Sequence, residues 1–275
     1  MWVLAGVAAF VVLAGTVLLV RRDHPGSSGS ESAPYVGGDL HAVATVGGRL
    51  FVSGHDGAGY SDAAGTWTQI GGLSGKDGMG WAAVPGGILV GGHEGLYRST
   101  DRGVTFGPAP GNLPVTDVHA LGSSGTTVYL ASPQQGLFAS TDGGQSWTMR
   151  SAAGKSFMGT MAVDPTDPKH LLAPDMASGV TESRDGGRSW RALGGPSGAM
   201  SVAAYPNEAS HLVAVGMAGA AETRDGGMTW QPLTVPDGTA VVTLDRSGAL
   251  VAAVHAGSTA EVYRSTDNGK AWTRI

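Results

Sequence analysis

Ser140-Thr141-Asp142-Gly143-Gly144-Gln145-Ser146-Trp147 is a segment that the chain repeats. It returns as SRDGGRSW from Ser183 to Trp190, as TRDGGMTW from Thr223 to Trp230, as STDNGKAW from Ser265 to Trp272 and as STDRGVTF from Ser99 to Phe106. The weakest copy is YSDAAGTW, from Tyr60 to Trp67. The six aspartates are Asp62, Asp101, Asp142, Asp185, Asp225 and Asp267, spaced 39 to 43 residues apart. A fixed period of this length marks an array of supersecondary units.

The segment has a mechanical reading. An aspartate can accept hydrogen bonds from backbone N–H groups just ahead of it and so close a tight turn. The glycine two residues on supplies a positive φ. A serine or threonine adds a second side-chain bond, and Trp67, Trp147, Trp190, Trp230 and Trp272 each begin the next strand as a large apolar anchor. The repeat is therefore expected to be structural.

This pattern resembles the Asp-box (BNR) repeat family, which includes sialidases, sortilin-type receptors and a photosystem II assembly factor. It is similar in particular to small bacterial membrane-anchored proteins described as glycosylhydrolases. The resemblance covers nearly everything from residue 38 onward. It implies an all-β chain folded as a β-propeller, with the repeat in the hairpin between the third and fourth strands of each blade. The strands agree independently. Residues 79–84, MGWAAV, are followed by a Pro-Gly-Gly turn, ILVGGH, GLYRS and the repeat. That is four short strands per ~41 residues. Six such units fill 38–275, and the last repeat leaves room for blade six to supply its own outer strand. Ring closure is then expected from side-chain packing, without a shared blade.

The first twenty residues carry no charged side chain. At about 1.5 Å per residue they reach roughly 30 Å, a bilayer core. No small-residue cleavage site follows them; Arg21 and Arg22 do. Residues 1–22 are read as an uncleaved transmembrane helix, and 23–37, rich in Ser, Gly and Pro, as a flexible linker. An extracytoplasmic propeller, anchored to the membrane, is the expected location, although Arg21 and Arg22 after the span oppose that orientation. The net charge of −5 and the lack of a basic stripe argue against nucleic acid as a partner. No protein partner is indicated. Absence of cysteine excludes disulfides, thiolate metal sites and cysteine nucleophiles.

The resemblance raises the question of sialidase activity. Sialidases of this family carry an arginine triad and an (F/Y)RIP-type motif near the start, and neither is present. Arg98, Arg102, Arg184, Arg188, Arg224 and Arg264 lie in or beside the repeats, and Arg49 lies in a hairpin turn. An arginine triad therefore cannot be assembled, whereas general glycosidase chemistry needs only two carboxylates at a suitable separation, for which candidates exist. The chain reads as a binding module rather than an enzyme. A glycoside hydrolase of another kind and an assembly or interaction scaffold are the alternatives.

Aligning the blades on their first two strands gives two rings. At the start of the inner strand stand His41, Met79, His119, Met158, Met200 and Thr239. At the end of the second stand His55, His93, Pro133, Met176, Met217 and His255. The chain has 8 His and 9 Met, so twelve random positions would hold fewer than one; these hold ten. Both positions fall at the same end of an antiparallel pair, opposite the repeats. Imidazole with thioether suits copper, above all Cu(I). The mouth is thus expected to bind a metal ion, copper first, or a small ligand. Asp39, Asp77, Asp117 and Asp237 precede the inner ring by two residues, and Asp56 and Glu94 follow two ring histidines. Carboxylates so placed can fix a histidine's tautomer.

Overall fold

The computed structural model describes residues 30–31, 33–62 and 66–275. The expected transmembrane helix and the first part of the expected linker, and residues 63–65 of the first repeat, lie outside the described residues. Among the described residues no helix is long and apolar enough to cross a membrane.

Six antiparallel sheets follow one another along the chain and form a six-bladed β-propeller. In blade two, Gly80–Val84, Gly87–Gly92, Gly95–Ser99 and Gly107–Pro108 run in order from the channel to the rim. The inner strands of blades one, three, five and six are Leu40–Val46, Ala120–Ser124, Ala199–Ala204 and Thr239–Leu244. Second strands such as Thr127–Ser132 and Leu212–Gly216 are continuous apolar runs, because each blade has a neighbour on both faces. Blade six ends on its own outer strand, Thr273–Arg274.

Each repeat turns the chain between the third and fourth strands. In blade three, Asp142 Oδ1 accepts from the Gln145 and Ser146 amides, both at 2.9 Å. Ser140 Oγ accepts from the Gly144 amide at 2.9 Å and donates to Asp142 Oδ1 at 2.6 Å. Gly143 and Gly144 take φ of 75° and 89°. The same bonds recur around Asp101, Asp185 and Asp225. Blade one departs. The carboxylate of Asp62 is held by the guanidinium of Arg49, which also donates to the Arg102 carbonyl.

The core divides into six clusters, one at each contact between successive blades. The repeat's aromatic residue enters the cluster shared with the preceding blade: Phe106 between blades one and two, then Trp147, Trp190, Trp230 and Trp272 in turn. Trp67 fills the sixth cluster, between blades six and one. It is fully buried, whereas Trp147, Trp190, Trp230 and Trp272 are only partly buried.

Two features depart from a plain ring. Val36 and Gly37 donate their amides to the Ser258 carbonyl, and Ala260 donates to Pro34, so residues 34–37 strap blade six to blade one. Val36 is fully buried there, and Ser30–Glu31 adds a strand outside Trp67–Gln69. Closure therefore combines side-chain packing with backbone bonds from the last part of the expected linker. In blade four the innermost segment is split. Gly159–Thr160 pairs in parallel with Ala120 and Leu121 of blade three, while Ala162–Val163 pairs within its own blade, where Phe157 also bridges to Asp175. Gly80 and Gly122 make room, since a Cβ on either would lie 2.6 and 2.5 Å from the carbonyl oxygens of Gly159 and Met161.

Candidate metal centre

Inner strands begin, and second strands turn into third strands, at the channel mouth, opposite the repeat turns. In blade one Leu40 pairs with Gly54 and Ala42 with Ser53, which leaves His41 as the extra residue of a β-bulge. Such a bulge re-aims a side chain at a rim. His55 and His93 occupy the two-residue turns closed by Gly54–Gly57 and Gly92–Gly95. His119 precedes the inner strand of blade three and is fixed by its amide bond to the Ala131 carbonyl.

Asp77 lies in the connection from blade one to blade two and is 1 % exposed. The connection is clamped from both sides. The Gly78 amide donates to the Gly54 carbonyl, Ser53 Oγ donates to the Gly78 carbonyl, and the buried Trp81 indole donates to Ser53 Oγ. A Cβ on Gly78 would meet that of Ser53 at 2.5 Å, so the contact requires glycine. The Asp77 amide itself donates to Glu94 Oε2 at 3.2 Å.

Four imidazoles and two carboxylates converge at this place. His41 Nε2 is 3.2 Å from Asp77 Oδ1, and His55 Nδ1 and His93 Nδ1 are 3.3 and 2.6 Å from Asp77 Oδ2. On the other side of the His93 ring, Nε2 lies 3.1 Å from His119 Nε2, which is 3.0 Å from Asp117 Oδ1. Gln134 donates to the second oxygen of Asp117. Several of these close approaches are not hydrogen bonds. Both oxygens of Asp77, both ring nitrogens of His41 and Asp117 Oδ1 are buried without a partner at an acceptable angle. Two groups of three ligands result, His41 with His55 and Asp77, and His93 with Asp117 and His119; within each, one ligand atom per residue lies within 4.8 Å of the others.

The electrostatics favour a cation. Among the described residues, the ion pairs of Asp77 are to three imidazoles and to no lysine or arginine. With neutral imidazoles the cluster carries two buried or half-buried negative charges, which are costly without a counter-charge. Burial pushes the pKa of His119 down, against the opposing pull of Asp117, and so keeps its ring in the neutral form that ligates metal. Ligands about 2.0–2.1 Å from a tetrahedral ion lie about 3.3 Å apart, close to most of the separations found here.

The ten His and Met positions of the two rings do not share one environment. The four histidines of blades one to three come together. Met200 occupies the bulge of blade five that corresponds to His41, and lines with it, Thr160 and Thr45 a channel cavity of about 370 Å³ that reaches Arg246. Met79 and Met158 are buried. Met176 and Met217 are exposed in hairpin turns of blades four and five, across the ring from Asp77. Pro133 sits in the corresponding turn of blade three. In blade six the bulge residue is Ala240, so Thr239 stands one position early. Its second hairpin runs two residues further, which places the exposed His255 within a strand opposite Ala260. Asp39 and Asp237 are exposed, and Asp56 accepts from the Tyr35 hydroxyl. Sequence reading placed Asp77 and Asp117 only as supporting groups; their position two residues before a ring histidine or methionine was the available signal.

No family model and no curated protein sequence matches the chain. Solved structures do. A glycoside hydrolase family 74 xyloglucanase from Xanthomonas campestris aligns with 90 % of this chain and 47 % of its own, at 18 % identity and a TM-score of 0.59. The family 74 enzyme of Niastella koreensis gives 17 % identity and 0.60 over the same shares. The chain thus spans about half the length of these two. YCF48 from Cyanidioschyzon merolae aligns over 88 % of this chain and 86 % of its own, at 14 % identity and 0.54. At these identities the likeness is one of fold.

Proposed function

We propose that this protein is a binding module that holds a divalent metal ion among the histidines and aspartates at the mouth of its propeller. The observation that carries the reading is the convergence of His41, His55 and His93 on the buried and otherwise unpaired carboxylate of Asp77. Imidazole and carboxylate suit borderline ions, and copper(II) heads the affinity order for such ligands. The thioether half of the two rings, which pointed to Cu(I), has less support, because Met176 and Met217 are exposed in turns across the ring. The uncharged stretch 1–20 supports attachment to a membrane, while Arg21 and Arg22 after it oppose a propeller outside the cytoplasm. The folds it resembles carry hydrolases as well as other proteins, so fold does not choose an activity here.

The test is metal analysis of the full chain after loading with copper(II), zinc(II) or nickel(II) and removal of free ion. At least one ion per chain should remain. His93→Ala, at an exposed turn position, should weaken binding by at least 10-fold while leaving the melting temperature of the metal-free protein within a few degrees. A protein that retains no ion, or whose affinity is unchanged by His93→Ala, would overturn the proposal.

A further inference from the structure

We infer that the cluster holds two ions, joined through Asp77 and His93. This rests on the metal-binding reading and deepens it. The ligand atoms fall into two sets, not one. The first is His41, His55 and Asp77, between blades one and two; the second is His93, Asp117 and His119, between blades two and three. The ring of His93 stands between them. Its Nδ1 faces Asp77 Oδ2 at 2.6 Å and its Nε2 faces His119 Nε2 at 3.1 Å. A single ion at the first set cannot reach His93 Nε2, because the imidazole ring itself intervenes. A single ion at the second leaves both oxygens of Asp77 and the His41 ring nitrogens buried without a hydrogen bond.

The shared residues make the two positions unequal. Asp77 would bind the first ion directly, and its negative charge 2.6 Å from His93 Nδ1 favours the tautomer protonated there, which leaves Nε2 of that ring free for the second ion. A carboxylate behind a ligating histidine fixes its tautomer and raises its basicity. An ion bound to Asp77 draws negative charge away from that contact, so filling the first position weakens the second. Zinc(II) should therefore bind in two distinct steps.

The experiment is a calorimetric titration of the full chain with zinc(II), with metal analysis of the saturated protein. The expected result is two ions per chain. His41→Ala combined with His55→Ala should leave one ion, bound at the second set, and His119→Ala should leave one ion at the first. Asp77→Asn keeps the side-chain shape but loses the charge beside His93 Nδ1, so it should abolish the first step and weaken the second by about 10- to 100-fold. One ion per chain, lost on substitution at either set, would overturn the two-ion inference and leave metal binding standing. No bound ion at all would remove both. Loss of the whole fold in Asp77→Asn, seen as a missing melting transition, leaves the histidine variants to decide.

Discussion

At the scale of single residues, the repeat turn is a demand for left-handed backbone. Three of the six copies meet it with Gly-Gly, but Arg102 and Asn268 hold φ of 65° and 57° where Gly143, Gly186 and Gly226 stand in those blades. A residue with a Cβ costs about 1–2 kcal/mol in that conformation, less the unfolded-state freedom a glycine would add. Arg102→Gly should therefore stabilise the protein by about 0.5 kcal/mol, read as a higher urea midpoint. Gly187→Ala should do the opposite, and more strongly. Its φ is 81°, and the new Cβ would lie 2.1 Å from Leu137 Cδ2. The anchors also differ in weight. Trp190 is partly buried against Phe157 and donates to the Gly187 carbonyl, so Trp190→Ala should cost about 2–3 kcal/mol. Trp67→Ala, in a fully enclosed site, should cost about 3–5 kcal/mol. Equal losses in urea unfolding would contradict this ranking of the two sites.

At the scale of elements, the turns carry a pH signature. Hydrogen bonds from Thr105 hold the Asp101 carboxyl well below the usual range, the Ser140 hydroxyl does so for Asp142, and Asp185 and Asp225 are lowered to about 2, chiefly by Ser189 and Thr229. A depressed folded pKa contributes stability that is present above the unfolded value, about 3.9, and is lost as pH falls through the folded value. Stability should thus decline from about pH 4 toward pH 2 as the turns protonate. Asp185→Asn should flatten that decline in urea midpoints measured across this range; an unchanged slope would show that the turn carboxylates do not set it. These turns were legible in the sequence because the bonds that the Asp101, Asp142, Asp185 and Asp225 carboxylates accept within them span at most four residues. The site was legible only in part. His41, His55, His93 and His119 stood out by type and register, but their grouping depends on blade order, on the bulge at His41 and on the clamp that buries Asp77. The misplacement of Thr239 has the same origin, since a bulge is a relation between strands and leaves no mark in a strand read alone.

At the scale of the whole molecule, the six interblade clusters make the ring a sequence of similar joints, and one joint has an added strap. A chain lacking residues 1–37 loses the buried Val36, the three backbone bonds to blade six, the bond from the Asp56 amide to the Val36 carbonyl and the paired strand Ser30–Glu31, and should be less stable by about 3–5 kcal/mol. A truncated chain that melts at the full-length temperature would show the strap to be dispensable. The periodicity announced the number of blades, while the strap escaped notice because a short Ser/Gly/Pro-rich segment reads as linker until its partner is known. Its partner is distant. More than 200 residues separate residues 34–37 from Ser258 to Ala260, so the joint between blades six and one cannot form until all six blades have been synthesised. At about 5–20 residues per second the strap waits some ten seconds or more with Val36 uncovered. During that interval the nascent ring is an open arc with two unsatisfied edges. The same joint that closes the finished molecule is thus the one left unprotected longest while it is being made.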